Sequence, residues 1–298
     1  MITCLPDSDI ERFIEEDIPY GDLTTHLLGI GGRQGRIVFT TREETTLCCT
    51  EEVSRILQKC GATVVSSMPS GTRLSSGMEF LTAEGPAQAL HAGWKVSLNL
   101  LEYASGIASR TRRIVEKGQA ANPSISVVTT RKSFPGTKKI AIKAITAGGA
   151  LPHRLGLSET VLVFKQHTAF MGGLETFLDS INELRKKTRE TKIIVEADTV
   201  DEALLIAQSG ADIVQLDKIT PSELADTVTS IRTANPSILI SAAGGINESN
   251  AAEYASTGID IIVLSSVYFG KPSDIGVIIL PIDISPELQP ENTTKGTP

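Results

Sequence analysis

The chain lacks a basic excess. Its 28 lysines and arginines are outnumbered by 35 aspartates and glutamates, giving a formal net charge of -7. That argues against nucleic acid as the main partner, because phosphate-backbone binding draws on surplus Lys and Arg. Any anion site must therefore be local. The chain also lacks a run approaching the roughly 18 apolar residues that a membrane span needs. Its first residues, MITCLPDSDIERFIEED, do not follow the basic-then-apolar order of a secretory signal. A cytoplasmic protein without a membrane partner is the expectation. Cysteine is scarce. Cys4, Cys48, Cys49 and Cys60 have no metal-ligand spacing, and adjacent Cys48 and Cys49 read as two reduced thiols with a structural part.

What the chain does have is enough apolar material for a sizeable core: 298 residues, 41% hydrophobic and 21% charged, allow one large domain or two ordinary ones. An acidic, turn-rich start (EEDIPYGDLTT) gives way, from Gly35 to about Ala89, to short alternating runs such as RIVFTT and ATVVSSM around a helix-like TEEVSRILQKCG. This pattern reads as a small α+β unit. A long helical period follows between His91 and Lys117, with Val96, Leu100, Tyr103 and Ile107 on one face. Lys95 lies on its first turns, where a lone lysine is ordinarily solvated.

Beyond residue 124 the pattern becomes regular. Apolar strands are expected at Ile125–Thr130, Thr160–Lys165, Lys192–Ala197, Asp212–Asp217, Ser237–Ala242 and Asp260–Ser265. Helices alternate with them at Thr137–Ala147, Glu175–Lys187, Val200–Ser209, Ser222–Thr233 and Glu248–Ser256. Short buried strands alternating with helices mean a parallel sheet. Six such units suit a β/α barrel better than an open doubly wound sheet but fall short of eight, so an incomplete or modified barrel is expected.

The chemistry-bearing residues fall at the carboxyl ends of these strands, where ligands bind in α/β folds. The stretch VVTTRKSFPGTKKIAIKAITAGGALPHRLGL concentrates two cationic pairs, Arg131 with Lys132 and His153 with Arg154, on two loops. Two such pairs suggest an anion site. Glu196 and Asp217 close apolar runs. An acidic residue after a strand often only caps the next helix, but the segments that follow carry their own candidate caps, Thr199 and Ser222. Gly244 and Gly245 follow a strand and precede a helix, so their backbone N–H groups suit a phosphate, although a glycine pair alone is weak and often only a turn. Two carboxylates, several cations and a glycine-rich loop together suit a phosphorylated substrate carrying Mg²⁺, which favours one or two carboxylates plus phosphate oxygens. That combination points towards phosphoribosyl transfer.

The same residues carry a family resemblance. TTRK at 129–132, HRLGL at 153–157, VEAD around Glu196, SGADIVQLD ending at Asp217 and AAGGI at 242–246 resemble quinolinate phosphoribosyltransferase at matching separations. EDIPYGDLTT and LNLLEYASGIAS are similar to that family's segments too. The resemblance implies an α/β fold in which an N-terminal α/β sandwich domain with a linking helix (1–110) is followed by a modified, incomplete β/α barrel (111–270). A return segment (271–282) would pack on the first domain, ahead of a flexible tail (283–298). It also implies a homodimer with a shared active site, and transfer of phosphoribosyl from phosphoribosyl pyrophosphate (PRPP), with magnesium, to the ring nitrogen of an aromatic acid. Carried over by position, Arg131, His153 and Arg154 would hold the acid and Lys132 the pyrophosphate or acid. Glu196 and Asp217 would hold ribose hydroxyls and Mg²⁺, and Gly244 and Gly245 the 5′-phosphate.

Three departures from that pattern bear on the substrate. Lys95 stands where the family has an arginine donated across the dimer, which keeps the charge but loses the bidentate fork. Phe164 falls where the family places a substrate-binding lysine, and Ser265 where it places a glycine. These features resemble the ModD subgroup, pyrophosphorylase-like proteins associated with molybdate transport. An acceptor with fewer carboxylates than quinolinate is expected, each lost charged hydrogen bond being worth about 1.5–3 kcal/mol, with Phe164 free to stack on it. Two rivals stand beside this reading. One is a non-catalytic oxyanion- or phosphate-binding protein of the same fold. The other is a barrel lyase using Lys165 as a Schiff base, which would need Lys165 to point inward.

Overall fold

The computed structural model describes residues 4–282, so the tail expected from residue 283 lies outside the described residues. Two short helices, α1 (Asp7–Asp17) and α2 (Leu23–Leu27), open the chain. They are followed by β1 (Gln34–Thr41), β2 (Thr45–Thr46), α3 (Thr50–Cys60), β3 (Thr63–Ser67), β4 (Arg73–Leu74) and β5 (Glu79–Pro86). β1, β3 and β5 pair antiparallel, and α3 buries Val53, Ile56 and Leu57 in the same core. The next helix, α4 (Ala87–Ala121), runs 35 residues without a break. It contributes to both halves of the molecule. Leu90 and Leu101 are buried with the first unit's core, while Ile114 and Val115 are buried towards the parallel sheet, in one contiguous cluster.

The second half runs β6 (Ser126–Thr129), α5 (Lys138–Ala147), β7 (Leu151–Pro152), β8 (Val161–Val163), α6 (Lys165–Thr168), α7 (Leu174–Asp179), α8 (Ile181–Lys187), β9 (Ile193–Ala197) and α9 (Val200–Ser209). It continues through β10 (Ile213–Asp217), α10 (Pro221–Ala234), β11 (Leu239–Ala243), α11 (Ala251–Ala255) and β12 (Ile261–Leu264). Its sheet has seven strands in the order β7-β6-β12-β11-β10-β9-β8, paired in parallel. The end strands β7 and β8 do not pair with each other, so the barrel is incomplete. The seventh strand, β7, is two residues long and has no apolar run to announce it. The last strand, β13 (Ile275–Pro281), returns to the first unit and pairs antiparallel with β1.

Local chemistry accounts for most boundaries. Thr199 caps α9 by accepting from the N–H of Glu202 at 3.2 Å, and Gly210 ends that helix at φ +97°. Thr220, not Ser222, caps α10, accepting from the N–H of Glu223, with Pro221 at the first helical position, where its missing N–H costs nothing. The expected helix over 175–187 is divided at Ser180 into α7 and α8. Among the described residues no helix is long and apolar enough to cross a membrane.

Candidate active site

Strand parity places the first functional pair. Along β10, Ile213, Gln215 and Asp217 share one face and Val214 and Leu216 the other, as the two-residue repeat requires. Ile213 joins Leu162 and Ile194 in an apolar cluster on the inner face, so Gln215 and Asp217 stand on that inner face nearer the strand's carboxyl end. Gln215 pairs in register with Glu196 on β9, and its Nε2 donates to Glu196 Oε2 at 2.7 Å. Burial raises the Glu196 pKa above its ordinary value. The Gln215 hydrogen bond works against this, and the charges of Asp217 and Asp198 add to it.

The cations enter from the other side of the sheet. Thr129 ends β6, and its carbonyl accepts from the N–H of His153, which follows β7. That one bond brings the Arg131–Lys132 loop and the His153–Arg154 loop together. His153 is held below the usual imidazole range by burial and by the Arg154 charge. Arg154 is likewise lowered by burial and by Arg131. Cations crowded this way, each disfavoured by the charge of its neighbour, are poised for an anion.

These residues line one cavity of about 580 Å³ at the carboxyl ends of the strands. Thr130, Arg131, Lys132, His153 and Arg154 stand with Phe164, Glu196, Gln215 and Asp217, and with Lys218, Gly244, Gly245, Asn247, Ser265 and Ser266. Every residue expected at the site is there except Lys95, which is exposed on α4 and does not line it. Phe164 lines the wall with its ring stacked on His167 at 5.7 Å. Lys165 points away: its side chain is 72% exposed and its Nζ pairs with Asp198 at 2.5 Å. That pairing raises the Lys165 pKa, the opposite of what a Schiff-base lysine needs, and the lyase reading falls with it. A larger cavity of about 680 Å³, bordered by Phe13, Leu100, Tyr103 and Phe134, has no cationic side chain in its lining. The cavity equipped for anion chemistry is the smaller one.

The glycine pair is required by geometry. Gly244 sits at φ +88° and Gly245 at φ +73°. A Cβ on Gly244 would lie 2.6 Å from Lys218 Cγ and 2.7 Å from Asp217 Oδ1. The loop beyond is tied back, with Asn247 and Asn250 both donating to the Gly245 carbonyl. Towards a magnesium ion the donors would be Glu196 and Asp217. Among the described residues no group of three or more His, Cys, Asp or Glu forms a protein cage. Two carboxylates at an open cavity fit a hard cation that completes its shell with substrate oxygens.

Comparison with known proteins settles the lineage. The quinolinate phosphoribosyl transferase C-terminal domain profile matches residues 107–277 and the N-terminal domain profile residues 22–105. The chain belongs to the quinolinate phosphoribosyltransferase family. Within the family it is 42% identical over 256 residues to a Rhodobacter capsulatus protein named "Putative pyrophosphorylase ModD", covering 85% of this chain and 97% of that one. Its identity to the human nicotinate-nucleotide pyrophosphorylase [carboxylating] is 28% over 278 residues, covering 93% and 92%. The fold is similar to that of NadC from Streptococcus pyogenes, with a TM-score of 0.84 at 24% identity, covering 94% of this chain and 100% of that one. The sequence matches thus place the chain with the ModD proteins inside a family of pentosyltransferases.

Several cavity residues were given no role by the sequence. Gln215 is a single amide inside the apolar strand IVQLD. It is buried, and among the described residues its Oε1 has no hydrogen-bond partner. Its parity with Asp217 is the signal that could have found it. Lys218, one residue beyond Asp217, adopts φ +59°, the left-handed region where a non-glycine residue is uncommon. Ser265 exchanges a 2.9 Å hydrogen bond with Thr130 Oγ1, which joins the β12 end to the cationic loop.

Proposed function

We propose that the protein transfers phosphoribosyl from PRPP to the ring nitrogen of an aromatic or heterocyclic acid other than quinolinate. The supporting observation is the division of one cavity into a cationic half, with Arg131, Lys132, His153 and Arg154, and a half with two carboxylates and a glycine turn. In this reading Arg131, His153 and Arg154 hold the acid's carboxylate by charge-assisted bonds, and Phe164 covers the ring. Lys132 takes the pyrophosphate. Glu196 and Asp217 hold the ribose hydroxyls and the magnesium ion, and Gly244 and Gly245 the 5′-phosphate. The C1–O bond breaks with its electron pair leaving on pyrophosphate, and the ring nitrogen's lone pair forms the new N–C1 bond. Bound magnesium supplies charge neutralisation at the leaving group.

Because Lys95 lies off the cavity, its part in this reading depends on a homodimer in which the partner subunit's Lys95 reaches the acid. Mixing Lys95→Ala with Arg131→Ala protein would then restore activity in hybrid dimers. A molybdenum-utilisation context is part of the proposal and rests on the likeness to the ModD proteins. It would be checked by whether loss of the protein changes growth under molybdate limitation.

The deciding assay incubates protein, Mg²⁺, PRPP and a panel of heterocyclic acids, and measures pyrophosphate release. Release with one or more acids, lost in Glu196→Ala and Asp217→Ala, is expected. Absence of release with every acid, together with no PRPP binding, refutes the transferase. Anion binding that survives both substitutions would identify the oxyanion-binding alternative.

A further inference from the structure

Lys218 is the one cation of the cavity that lies among the carboxylates instead of across from them. Its Nζ pairs with Asp217 Oδ2 at 3.0 Å while its side chain stays 79% exposed. An ion pair between adjacent residues that far in the open contributes little stability. The backbone nevertheless holds Lys218 at φ +59°, a left-handed conformation that crowds the Cβ of any residue with a side chain. Its N–H is fixed on the Ala243 carbonyl at 2.8 Å. Gly244 leaves the space its stem occupies, since a Cβ there would stand 2.6 Å from Lys218 Cγ. Strain and a missing side chain on two neighbouring loops therefore combine to keep one mobile ammonium beside Asp217. Lys218 also borders a second cavity of about 440 Å³ that shares Gly244 and Gly245 with the first, so its ammonium can reach either side of the glycine turn.

We propose that Lys218 is a substrate-binding residue with two alternating partners. Without metal, its ammonium neutralises Asp217. When magnesium arrives with the phosphorylated substrate and takes Asp217, the ammonium turns to the phosphate oxygens above Gly244. Strain at functional sites is kept where it pre-organises a group, and a lysine on a flexible stem, with three rotatable donors, suits a change of partner in a way a rigid arginine fork does not. The inference rests on the phosphoribosyl reading for PRPP, but its core claim covers any di- or monophosphate at this turn.

The test is calorimetric binding of PRPP and of inorganic pyrophosphate to the full chain, first in EDTA and then with Mg²⁺. In EDTA, where the ammonium stays on Asp217, Lys218→Met should cost both ligands much less affinity than with Mg²⁺. With Mg²⁺ present it should weaken both by about tenfold or more, the range for a lost charged hydrogen bond. Lys218→Arg should restore much of this. Lys165→Met removes an equally exposed, carboxylate-paired lysine outside the cavity and should change nothing. Titration of Mg²⁺ into ligand-free protein should give a lower half-saturation for Lys218→Met, because the competing ammonium is gone. Phosphate binding unchanged with Mg²⁺ in Lys218→Met, a loss in EDTA as large as with Mg²⁺, an equal loss in Lys165→Met, or unchanged or weaker metal affinity overturns the proposal. If pyrophosphate binds in a Lys218-dependent way and PRPP does not bind, only the phosphoribosyl reading fails.

Discussion

Replacing Lys143 by methionine should destabilise the protein more than any single change at the cavity. Lys143 lies on α5, directly after the Arg131–Lys132 loop, and its side chain is 6% exposed. Its Nζ donates to Glu52 Oε2 at 2.5 Å and to Glu51 Oε2 at 2.9 Å, both on α3 of the first unit. Glu52 is fully buried and also accepts from the Leu5 N–H at 3.0 Å. Methionine fills similar volume but leaves a buried carboxylate without its counter-charge, which costs about 3–5 kcal/mol when one partner of a buried pair is removed. At about 2–4 °C per kcal/mol for a chain of this order, thermal unfolding should fall by about 6–20 °C. Differential scanning calorimetry measures this, and the double variant Lys143→Met/Glu52→Gln should recover part of the loss. A drop below about 1 kcal/mol, or no recovery in the double variant, would refute the argument. The triad also sets an acid limit. Burial pushes Glu51 up, but bonds from Lys143 and Ser70 outweigh it and bring its pKa to about 2. Its contribution is therefore present above the ordinary carboxylate value and is lost as pH falls towards 2.

Because burial raises the pKa of Glu196, PRPP turnover should fall with pH through a limb lying above the ordinary carboxylate range, and Glu196→Gln should abolish that limb along with most activity. Burial and the Arg154 charge lower His153 and so favour its neutral form. Affinity for an anionic acid should rise as pH falls and the bound carboxylate favours the imidazolium, and His153→Asn should flatten that dependence in a binding titration. Gly244→Ala must adopt φ +88° with a Cβ 2.7 Å from Asp217 Oδ1. PRPP–Mg²⁺ affinity and kcat should fall by about 100-fold, the effect of an ångström-scale misplacement, and wild-type values in that variant would show the loop is not at the phosphate.

The parallel sheet was legible because its strands are apolar on both faces and its helices return at regular spacing, which no other arrangement of these residues would bury. The site was legible where charge interrupts an apolar run, as at Glu196 and Asp217, or clusters beside a breaker, as at Arg131 and His153. What escaped the sequence had no periodic or charged mark. β7 is a two-residue strand held by register with Val128 and Thr129. The cap of α10 moved to Thr220 because Pro221 fixes the first helical position. Gln215 reads as an irregularity in a buried strand until its register with Glu196 is known. Lys218 reads as a solvated lysine, since nothing in the chain announces a positive φ at a residue with a side chain. The strand expected to run to Lys165 stops at Val163 instead, where Phe164 becomes the cap of α6 with its N–H on His167 Nδ1. That turn directs Lys165 outward and leaves Phe164 on the wall.

The two domain profiles meet between residues 105 and 107, in the middle of α4, a rod of 35 residues and about 52 Å. On either side of that seam Ser105 and Ser109 accept from the Cys48 and Thr46 N–H groups of the first unit, and Ile107 and Ala108 are fully buried. A hinge at this seam would have to break helical hydrogen bonds and open a dry core at once. That packing resists a hinge between the two halves, and on the proposed reading any closing over substrate would fall to the short cationic loops after β6 and β7. Cutting the gene at the profile boundary would yield two fragments, each with half a helix and an exposed apolar stripe, instead of two domains.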